Sequence, residues 1–160
     1  MKPFVFAAAL AALPMIAQAD DVIRHKTPGS DFPIARAVEI PAGKTTVYVS
    51  GMVPSVADEA ADKKTPAAWG DTKTQTLSVL GNIDPALKDI GLTMGDVVKM
   101  QVFLVAPEGQ PADFAGFMEG YTQYFGTEAQ PNLPARSAMI VEKLVNPNWL
   151  VEIEVTAVRP

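Results

Sequence analysis

One arginine and two glutamates offer the most promising chemistry in this chain. Arg136 follows a Pro-Ala turn in the segment 133–137, and Glu152 and Glu154 alternate along the later segment 151–155. Because successive side chains of a strand point to opposite faces, the two carboxylates share one face. A guanidinium can bind a carboxylate through two charge-assisted hydrogen bonds, and a glutamate can orient a water and accept its proton. These residues predict a site that holds a small carboxylic acid and directs a water to it.

Each of these residues also has an interpretation that involves no function. An arginine after a turn more often forms an ion pair at a surface or an interface. Glutamates that alternate on a strand more often line a solvated sheet face or pair across a barrel. The residue types alone leave both interpretations open.

The first nineteen residues predict a secretory signal peptide. Lys2 precedes an apolar, alanine-rich run over 4–16, and Ala17-Gln18-Ala19 matches a cleavage signal. A retained membrane anchor is the alternative, but Pro14 interrupts the run, which is shorter than the roughly 20 residues that a spanning helix needs. We expect cleavage after Ala19, a periplasmic or secreted protein, and no membrane association of the remaining 141 residues.

Composition argues against several classes of partner and site. Without Lys2 the chain has twelve basic and eighteen acidic side chains, a net charge of −6. Nucleic acids and anionic membranes require a basic surface, so neither is expected as a partner. The absence of cysteine excludes disulfides and thiolate nucleophiles. His25 is the only histidine, which excludes a ribonuclease mechanism based on two histidines of one chain.

The first half of the chain predicts a short β-region followed by a helix. Residues 20–33 are expected to form an arm without regular structure, and 35–40 and 46–50 to form a hairpin around the turn 41–44. Residues 53–70 predict a long loop, with or without a short helical turn. Asp71 and Gly91 would bound a helix over 71–90, with a kink or break at Pro85. Its buried face would carry four residues, Leu80, Ile83, Leu87 and Ile90.

The second half predicts a central strand, a helix and two final strands. Residues 97–105 are apolar on both faces, which is typical of a central strand. A helix over 113–125, capped by Asp113, would bury one stripe made of Phe114, Phe117, Met118, Tyr121 and Phe125. Strands over 138–142 and 150–158 would flank a turn at 146–148. Two helices cover only one face of such a sheet, so we expect oligomerisation through the other.

The residues from about 32 to 159 resemble the RidA/YjgF/UK114 family of reactive-intermediate (enamine/imine) deaminases. Single matching pieces are weak, but their joint order and spacing are specific. The matching pieces are Tyr48-Val49-Ser50-Gly51, Gln75-Thr76, Gly91-Leu92, Gly95-Asp96-Val97-Val98-Lys99, Val102-Phe103-Leu104, Asp113-Phe114, Tyr121, Tyr124-Phe125, Pro134-Ala135-Arg136-Ser137 and Val151-Glu152-Ile153-Glu154-Val155-Thr156-Ala157.

The resemblance implies a fold, an assembly and a reaction. The fold is α+β and chorismate-mutase-like (YjgF), with a mixed sheet, two helices on one face, and three subunits around a barrel. The RidA-like domain would span 34–160. Members hydrolyse enamines and imines to 2-keto acids and ammonia in a cleft between subunits. By this resemblance Arg136 binds the substrate carboxylate and Glu152 holds the attacking water, while Glu154 remains a sheet-face carboxylate.

The resemblance also implies a set of pocket residues, some of which depart from the family pattern. Ile34 replaces a cleft tyrosine, Met52 a glutamine, Met118 an asparagine and Ala138 a frequent cysteine. The full set is Ile34, Ser50, Gly51, Met52, Met118, Tyr121, Pro134, Ala135 and Ala138. Of these, Tyr121 is expected to belong to the core or an interface. The pocket should therefore be less polar than usual.

The chemistry requires no metal and no organic cofactor, since an iminium is already reactive. The expected partner is a small imine or enamine that carries a carboxylate. The alternative function is a binding module that holds a small carboxylate in the inter-subunit cleft without turnover. A structural or chaperone-like trimer is a third possibility.

Overall fold

The computed structural model describes residues 21–160, so the predicted signal peptide lies outside the described residues. Within these residues, two α-helices and six strands follow one another. The strands are β1 (Ile23–His25), β2 (Ala37–Glu39), β3 (Thr46–Met52), β4 (Val97–Val105), β5 (Ala135–Val141) and β6 (Val151–Val158), and the helices are α1 (Thr72–Lys88) and α2 (Phe114–Tyr121). Over this range, neither helix is long and apolar enough for a membrane crossing.

Four of the strands form a mixed sheet in the order β3-β6-β4-β5. Strand β6 pairs antiparallel with both β3 and β4, and β4 pairs parallel with β5. Strands β3, β4 and β5 therefore run in one direction, joined by crossovers that contain α1 and α2. Both crossovers advance the same way across the sheet, and right-handed connections then place both helices on one face. The fold is the expected α+β arrangement, with β4 at the centre.

The predicted hairpin between the second and third strands does not form. Strand β2 pairs with β1 in a separate two-stranded sheet, and β3 pairs with β6. The turn over 41–44 joins two strands that are not paired with each other, because β2 pairs with the strand before it and β3 pairs with the last strand. Strand β1 also lies inside the arm that was expected to lack regular structure. The prolines of the arm follow β1 and leave it intact.

Helix α1 begins directly after its predicted cap, Asp71, and ends two residues before its predicted end. The carboxylate of Asp71 accepts a hydrogen bond from the backbone N–H of Thr74, and Gly91 follows the helix with a φ of 74°. No break occurs at Pro85, which lies on the exposed side of the last turns, where water can bind the freed carbonyl of Gly81. Ile90 lies beyond the helix and is 40% exposed, so its expected place on the buried face is wrong.

The helices pack against each other and against the sheet around one apolar core. Gly120 of α2 lies so close to α1 that a methyl group there would approach Thr76 to 2.8 Å. Helix α2 ends four residues earlier than predicted, yet Phe125 beyond it is still buried. Large core side chains from both helices and the sheet include Leu80, Ile83, Leu87, Met100, Phe117, Tyr121, Phe125 and Ile153.

The loop over 53–70 folds back against the body of the protein, with a 3-10 turn at Pro66–Ala68 as predicted. Its Trp69 packs edge-to-face against Trp149, with ring centroids 5.9 Å apart. Buried Gln75 of α1 donates hydrogen bonds to the carbonyls of Gly70 and Asn148, which adjoin these tryptophans in sequence, and accepts one from the backbone N–H of Leu150. One side chain of α1 thus joins the long loop to the turn that precedes β6.

No part of residues 21–160 covers the sheet face opposite the helices. It contains a cleft of about 330 Å³ between Tyr48, Val49, Ser50, Lys99, Gln101, Glu154, Val155 and Thr156, and Tyr48 is 82% exposed. Glu154 accepts a hydrogen bond from Gln101 on the neighbouring strand, which agrees with its predicted role as a sheet-face carboxylate. We call this surface the outer sheet face.

Candidate functional site

Arg136 lies near the start of the edge strand β5 and faces the helices. It pairs in register with buried Met100 of β4, and its guanidinium carbon lies 4.2 Å from the ring centroid of Tyr121 and 4.9 Å from that of Phe117. Phe32 and Phe114 complete the surroundings, with centroids at 5.6 and 5.9 Å. Cations over aromatic faces are attracted by the ring quadrupole. Four rings therefore hold the guanidinium, and we call this arrangement the aromatic box.

The guanidinium has spare hydrogen-bonding capacity. Its Nη2 donates to the sulfur of Met118 at 3.2 Å, a weak acceptor, and its buried Nη1 has no partner. Among residues 21–160, no carboxylate oxygen lies within 4 Å of it, since the four ion pairs present involve other residues. A buried donor without a partner is costly. A carboxylate ligand would satisfy Arg136, whereas the alternative of an internal ion pair is absent from the described part of the chain.

Burial governs the protonation of the two polar groups in the aromatic box. Burial lowers the pKa of Arg136, and the neighbouring phenol of Tyr121 opposes that shift. Burial raises the pKa of Tyr121 to about 12, and Arg136 opposes this change. The phenol is therefore protonated at neutral pH. The guanidinium is charged because arginine does not lose its proton in proteins. The phenol donates its hydrogen bond to the carbonyl of Pro33 at 2.9 Å.

That hydrogen bond is one of several that attach residues 32–35 to the site. The backbone N–H of Ala35 donates to the carbonyl of Pro134, and Ala35 forms a parallel bridge with Ala135. The chain that precedes β2 thus runs alongside the start of β5. This attachment places the ring of Phe32 beside Arg136.

Glu152 lies on the outer sheet face, next to Gly51. A methyl group at Gly51 would overlap the carboxylate oxygen Oε1 of Glu152, so the carboxylate lies directly over the glycine. Glu152 pairs in register with Phe103 of β4, three positions along from the partner of Arg136. An odd separation along a strand changes the face. Arg136 and Glu152 therefore lie on opposite faces of the sheet.

The two predicted catalytic residues do not meet within one chain. Three residues along β4 and two strand spacings across the sheet separate their backbones by about 10 Å in each direction. Each side chain also points away from the other. A single small molecule can contact both only if they come from different subunits.

Comparison with known proteins decides the family. A family model described as Endoribonuclease L-PSP matches residues 29–159. The 2-iminobutanoate/2-iminopropanoate deaminase of Salmonella typhimurium is 30% identical over 138 residues, which cover 86% of this chain and 96% of that protein. The chain belongs to the RidA/YjgF family. This identification confirms the resemblance that the sequence motifs carry.

Solved structures of RidA/YjgF proteins agree with the fold. The structure of Escherichia coli TdcF with bound serine has a TM-score of 0.57 and 29% identity, and the comparison covers 87% of this chain and 98% of that one. The E. coli YjgF gene product has a TM-score of 0.56 and 29% identity, with 83% and 93% covered. The α+β YjgF fold is therefore confirmed.

In this RidA/YjgF protein the predicted pocket residues divide into two groups. Met118 and Tyr121 contact Arg136, and Ile34, Pro134 and Ala135 belong to the segments that adjoin it. Ala138 lies two positions farther along β5 and is exposed. The remaining three, Ser50, Gly51 and Met52, lie on β3, with Gly51 beside Glu152 and Met52 against the core. Their membership of a pocket stays a prediction.

Sequence reasoning missed the aromatic box. Phe114 and Phe117 were predicted to be core residues of one stripe, but Phe114 is 41% exposed and lies beside Arg136. Phe32 was noted only at the start of the resemblance. The signal that could have placed Phe32 in the site is its position two residues before Ile34, which was itself a predicted pocket residue. No group of three or more acidic or histidine side chains in the described range could hold a metal.

Proposed function

We propose that this protein hydrolyses small 2-imino acids, and enamines that tautomerise to them, to 2-keto acids and ammonia. The observation that carries the proposal is the partly buried guanidinium of Arg136, whose buried Nη1 has no partner and which has no carboxylate within 4 Å in residues 21–160. A related protein is named 2-iminobutanoate/2-iminopropanoate deaminase, and that name supports the reaction class.

The proposed reaction begins with the substrate carboxylate on the guanidinium of Arg136, which fixes the plane of the adjacent C=N group. A water held by Glu152 adds its oxygen to the imine carbon, and Glu152 accepts the water proton. The carbinolamine that forms receives this proton on nitrogen. The hydroxyl proton then passes through Glu152 to the nitrogen, the C–N bond breaks, ammonia leaves, and the carbon becomes the keto carbon. Protons and electrons balance without a metal or an organic cofactor.

The proposal includes an assembly. Because Arg136 and Glu152 lie on opposite faces of one sheet, the reaction requires Arg136 of one subunit to lie near Glu152 of another. The open outer sheet face, with its exposed Tyr48 and its cleft, supports association through that surface. We therefore include the homotrimer implied by the family resemblance.

The ribonuclease in the family description is not part of the proposal. The single histidine, His25, lies on β1 and contacts Glu39 at 2.7 Å. The chain is also acidic, with a sequence pI of about 4.8. A basic nucleic-acid surface is the usual signature of a nuclease.

Export is a further part of the proposal, and its test is separate from that of the reaction. The chain should be expressed at full length and recovered from the periplasm or medium. Cleavage after Ala19 leaves Asp20 as the first residue. N-terminal sequencing that finds Met1 in the fractionated, soluble protein would contradict export.

The reaction is tested with imines released by an amino-acid oxidase, whose spontaneous hydrolysis is the baseline. The protein should accelerate keto-acid formation, and Arg136→Ala and Glu152→Gln should each abolish the acceleration. Co-expression of these two variants should restore about a quarter of the wild-type sites. In a randomly mixed oligomer, about one site in four combines an intact Arg136 from one chain with an intact Glu152 from its neighbour. An unchanged rate with folded wild-type protein contradicts the reaction, and no recovery in mixed oligomers contradicts the shared site.

A binding module for small carboxylates is the second candidate function. Its support is that the aromatic box is complete within one chain, whereas Glu152 is not part of it. A small 2-keto acid should then raise the thermal unfolding temperature, the increase should be lost in Arg136→Ala, and no turnover should be seen. Equal stabilisation of the variant would exclude this candidate.

A further inference from the structure

We infer that the site selects carboxylic acids with an extended apolar side chain over those with a small or polar one. This inference rests on the proposed function and names its substrate class. The observation that carries it is the aromatic box. Phe32 and Phe114 lie within 6 Å of the Arg136 guanidinium and are 46% and 41% exposed. The accessible rim beside the anion-binding group is therefore aromatic.

The residues around the guanidinium determine from which side a ligand reaches it. Phe117 and Tyr121 are fully buried, so the inner side of Arg136 is closed by protein. Within one chain, the side of the two half-exposed rings is the one left open to a carboxylate. The substituent of the acid then lies against these rings and removes their surfaces from water. Each buried methylene of the ligand is worth roughly fourfold in affinity.

The same walls offer little to a polar substituent. The phenol of Tyr121 is fully buried and donates its proton to the carbonyl of Pro33, and the Met118 thioether accepts from Nη2 of Arg136. The three phenylalanines have no hydrogen-bonding groups. A hydroxyl or second carboxylate on the ligand would lose water without gaining a partner in the aromatic box. Polar acids of equal length should therefore bind more weakly.

Phe32 is the residue on which the selectivity is expected to depend most. Its backbone carbonyl accepts a hydrogen bond from Ile34, its N–H donates to the hydroxyl of Ser30, and the following Pro33 is held by Tyr121. The segment is thus fixed while the ring remains half-exposed. Phe32→Ala removes the ring without removing a hydrogen bond of the segment. We expect this change to reduce selectivity and to leave the carboxylate contact intact.

The test measures binding of the product class, so it does not depend on turnover. Dissociation constants are determined by calorimetry for pyruvate, 2-oxobutyrate, 2-oxohexanoate and 2-oxoglutarate on the full exported protein. We expect 2-oxohexanoate to bind at least fivefold more tightly than 2-oxobutyrate, which has two fewer methylenes, and 2-oxoglutarate to bind more weakly than 2-oxohexanoate. Phe32→Ala should remove most of the difference in affinity between 2-oxohexanoate and 2-oxobutyrate. Ile90→Ala, at a similarly exposed apolar position just beyond α1, should preserve this difference.

The outcomes separate this inference from the proposed function. Affinities that are independent of chain length, that favour pyruvate or 2-oxoglutarate, or that are undetectable for every acid overturn the inference. A ratio that survives in Phe32→Ala also overturns the role given to that ring. If imines are hydrolysed without regard to their side chains, the proposed reaction stands and the inference fails. If 2-oxohexanoate binds preferentially but no imine is hydrolysed, the inference stands and the reaction fails.

Discussion

Replacing Arg136 by methionine should abolish ligand binding at little cost to the fold. The substitution removes a buried donor, Nη1, whose lack of a partner costs about 1–3 kcal/mol. It also removes the attraction of the cation for the rings of Tyr121 and Phe117, at about 0.5–2 kcal/mol each. These effects oppose each other, and the methionine sulfur can itself pack against the rings. We expect the free energy of unfolding to change by less than about 1.5 kcal/mol.

The effect on ligand binding should be far larger. Two charge-assisted hydrogen bonds to a carboxylate are worth about 3–6 kcal/mol together, and their loss corresponds to roughly a hundredfold to ten-thousandfold weaker binding. Unfolding in urea, followed by circular dichroism at one protein concentration, gives the stability. Calorimetry with 2-oxobutyrate gives the affinity. Arg136→Lys is the matched control for charge, and it should bind more weakly than wild type because it lacks the planar fork.

One result would refute this reasoning. Breaking a buried ion pair typically costs about 3–5 kcal/mol. If Arg136→Met destabilises the protein by that amount and leaves 2-oxobutyrate affinity unchanged, the guanidinium has a structural role. The aromatic box would then be a device for packing a cation, and the proposed site would be elsewhere.

Three further predictions concern the surroundings of the site and the fold. Gln75→Leu should lower the free energy of unfolding by about 2–4 kcal/mol in urea titrations, because it leaves three backbone groups of two loops without partners. Gly51→Ala should reduce turnover at least tenfold, because the added methyl group displaces the Glu152 carboxylate, and it should leave the affinity for 2-oxobutyrate unchanged. Gly81→Ala is the control: its added methyl group has room, so turnover should stay intact. Asp71→Ala should cost about 1 kcal/mol of stability near pH 7 through loss of the helix cap. The hydrogen bond from the backbone N–H of Thr74 lowers the pKa of Asp71. The stabilisation by the Asp71 charge is therefore complete above pH ~4 and is lost as the pH falls further. Asp71→Asn should remove this pH dependence.

The parts of the fold that sequence reasoning predicted are those with long, regular patterns. The apolar character of 97–105 on both faces led correctly to a central strand, and the capping residues Asp71 and Asp113 marked the helix starts. The failures involve pairing between distant segments. The turn over 41–44 gave no information about partners, because β2 and β3 each pair with a strand elsewhere in the chain.

The sequence predicted the central residue of the candidate site but not the residues that surround it. The motif around Arg136 identified the arginine, and the alternation of Glu152 and Glu154 gave their common face correctly. That Phe32 lies beside Arg136 depends on the bridge between Ala35 and Ala135, which joins segments a hundred residues apart. The separation of Arg136 and Glu152 across the sheet depends on strand order and register. Neither can be read from local pattern.

The pairing of the two indoles has a practical consequence for spectroscopy. Trp69 and Trp149 are the only tryptophans of the chain, and they are in mutual contact. Intrinsic emission therefore originates from a single spot, where the segment 53–70 meets the turn before β6. The rings within 6 Å of the guanidinium are phenylalanines and a tyrosine. A change in indole fluorescence should thus report detachment of that segment, and a silent signal during a titration carries no information about occupancy beside Arg136.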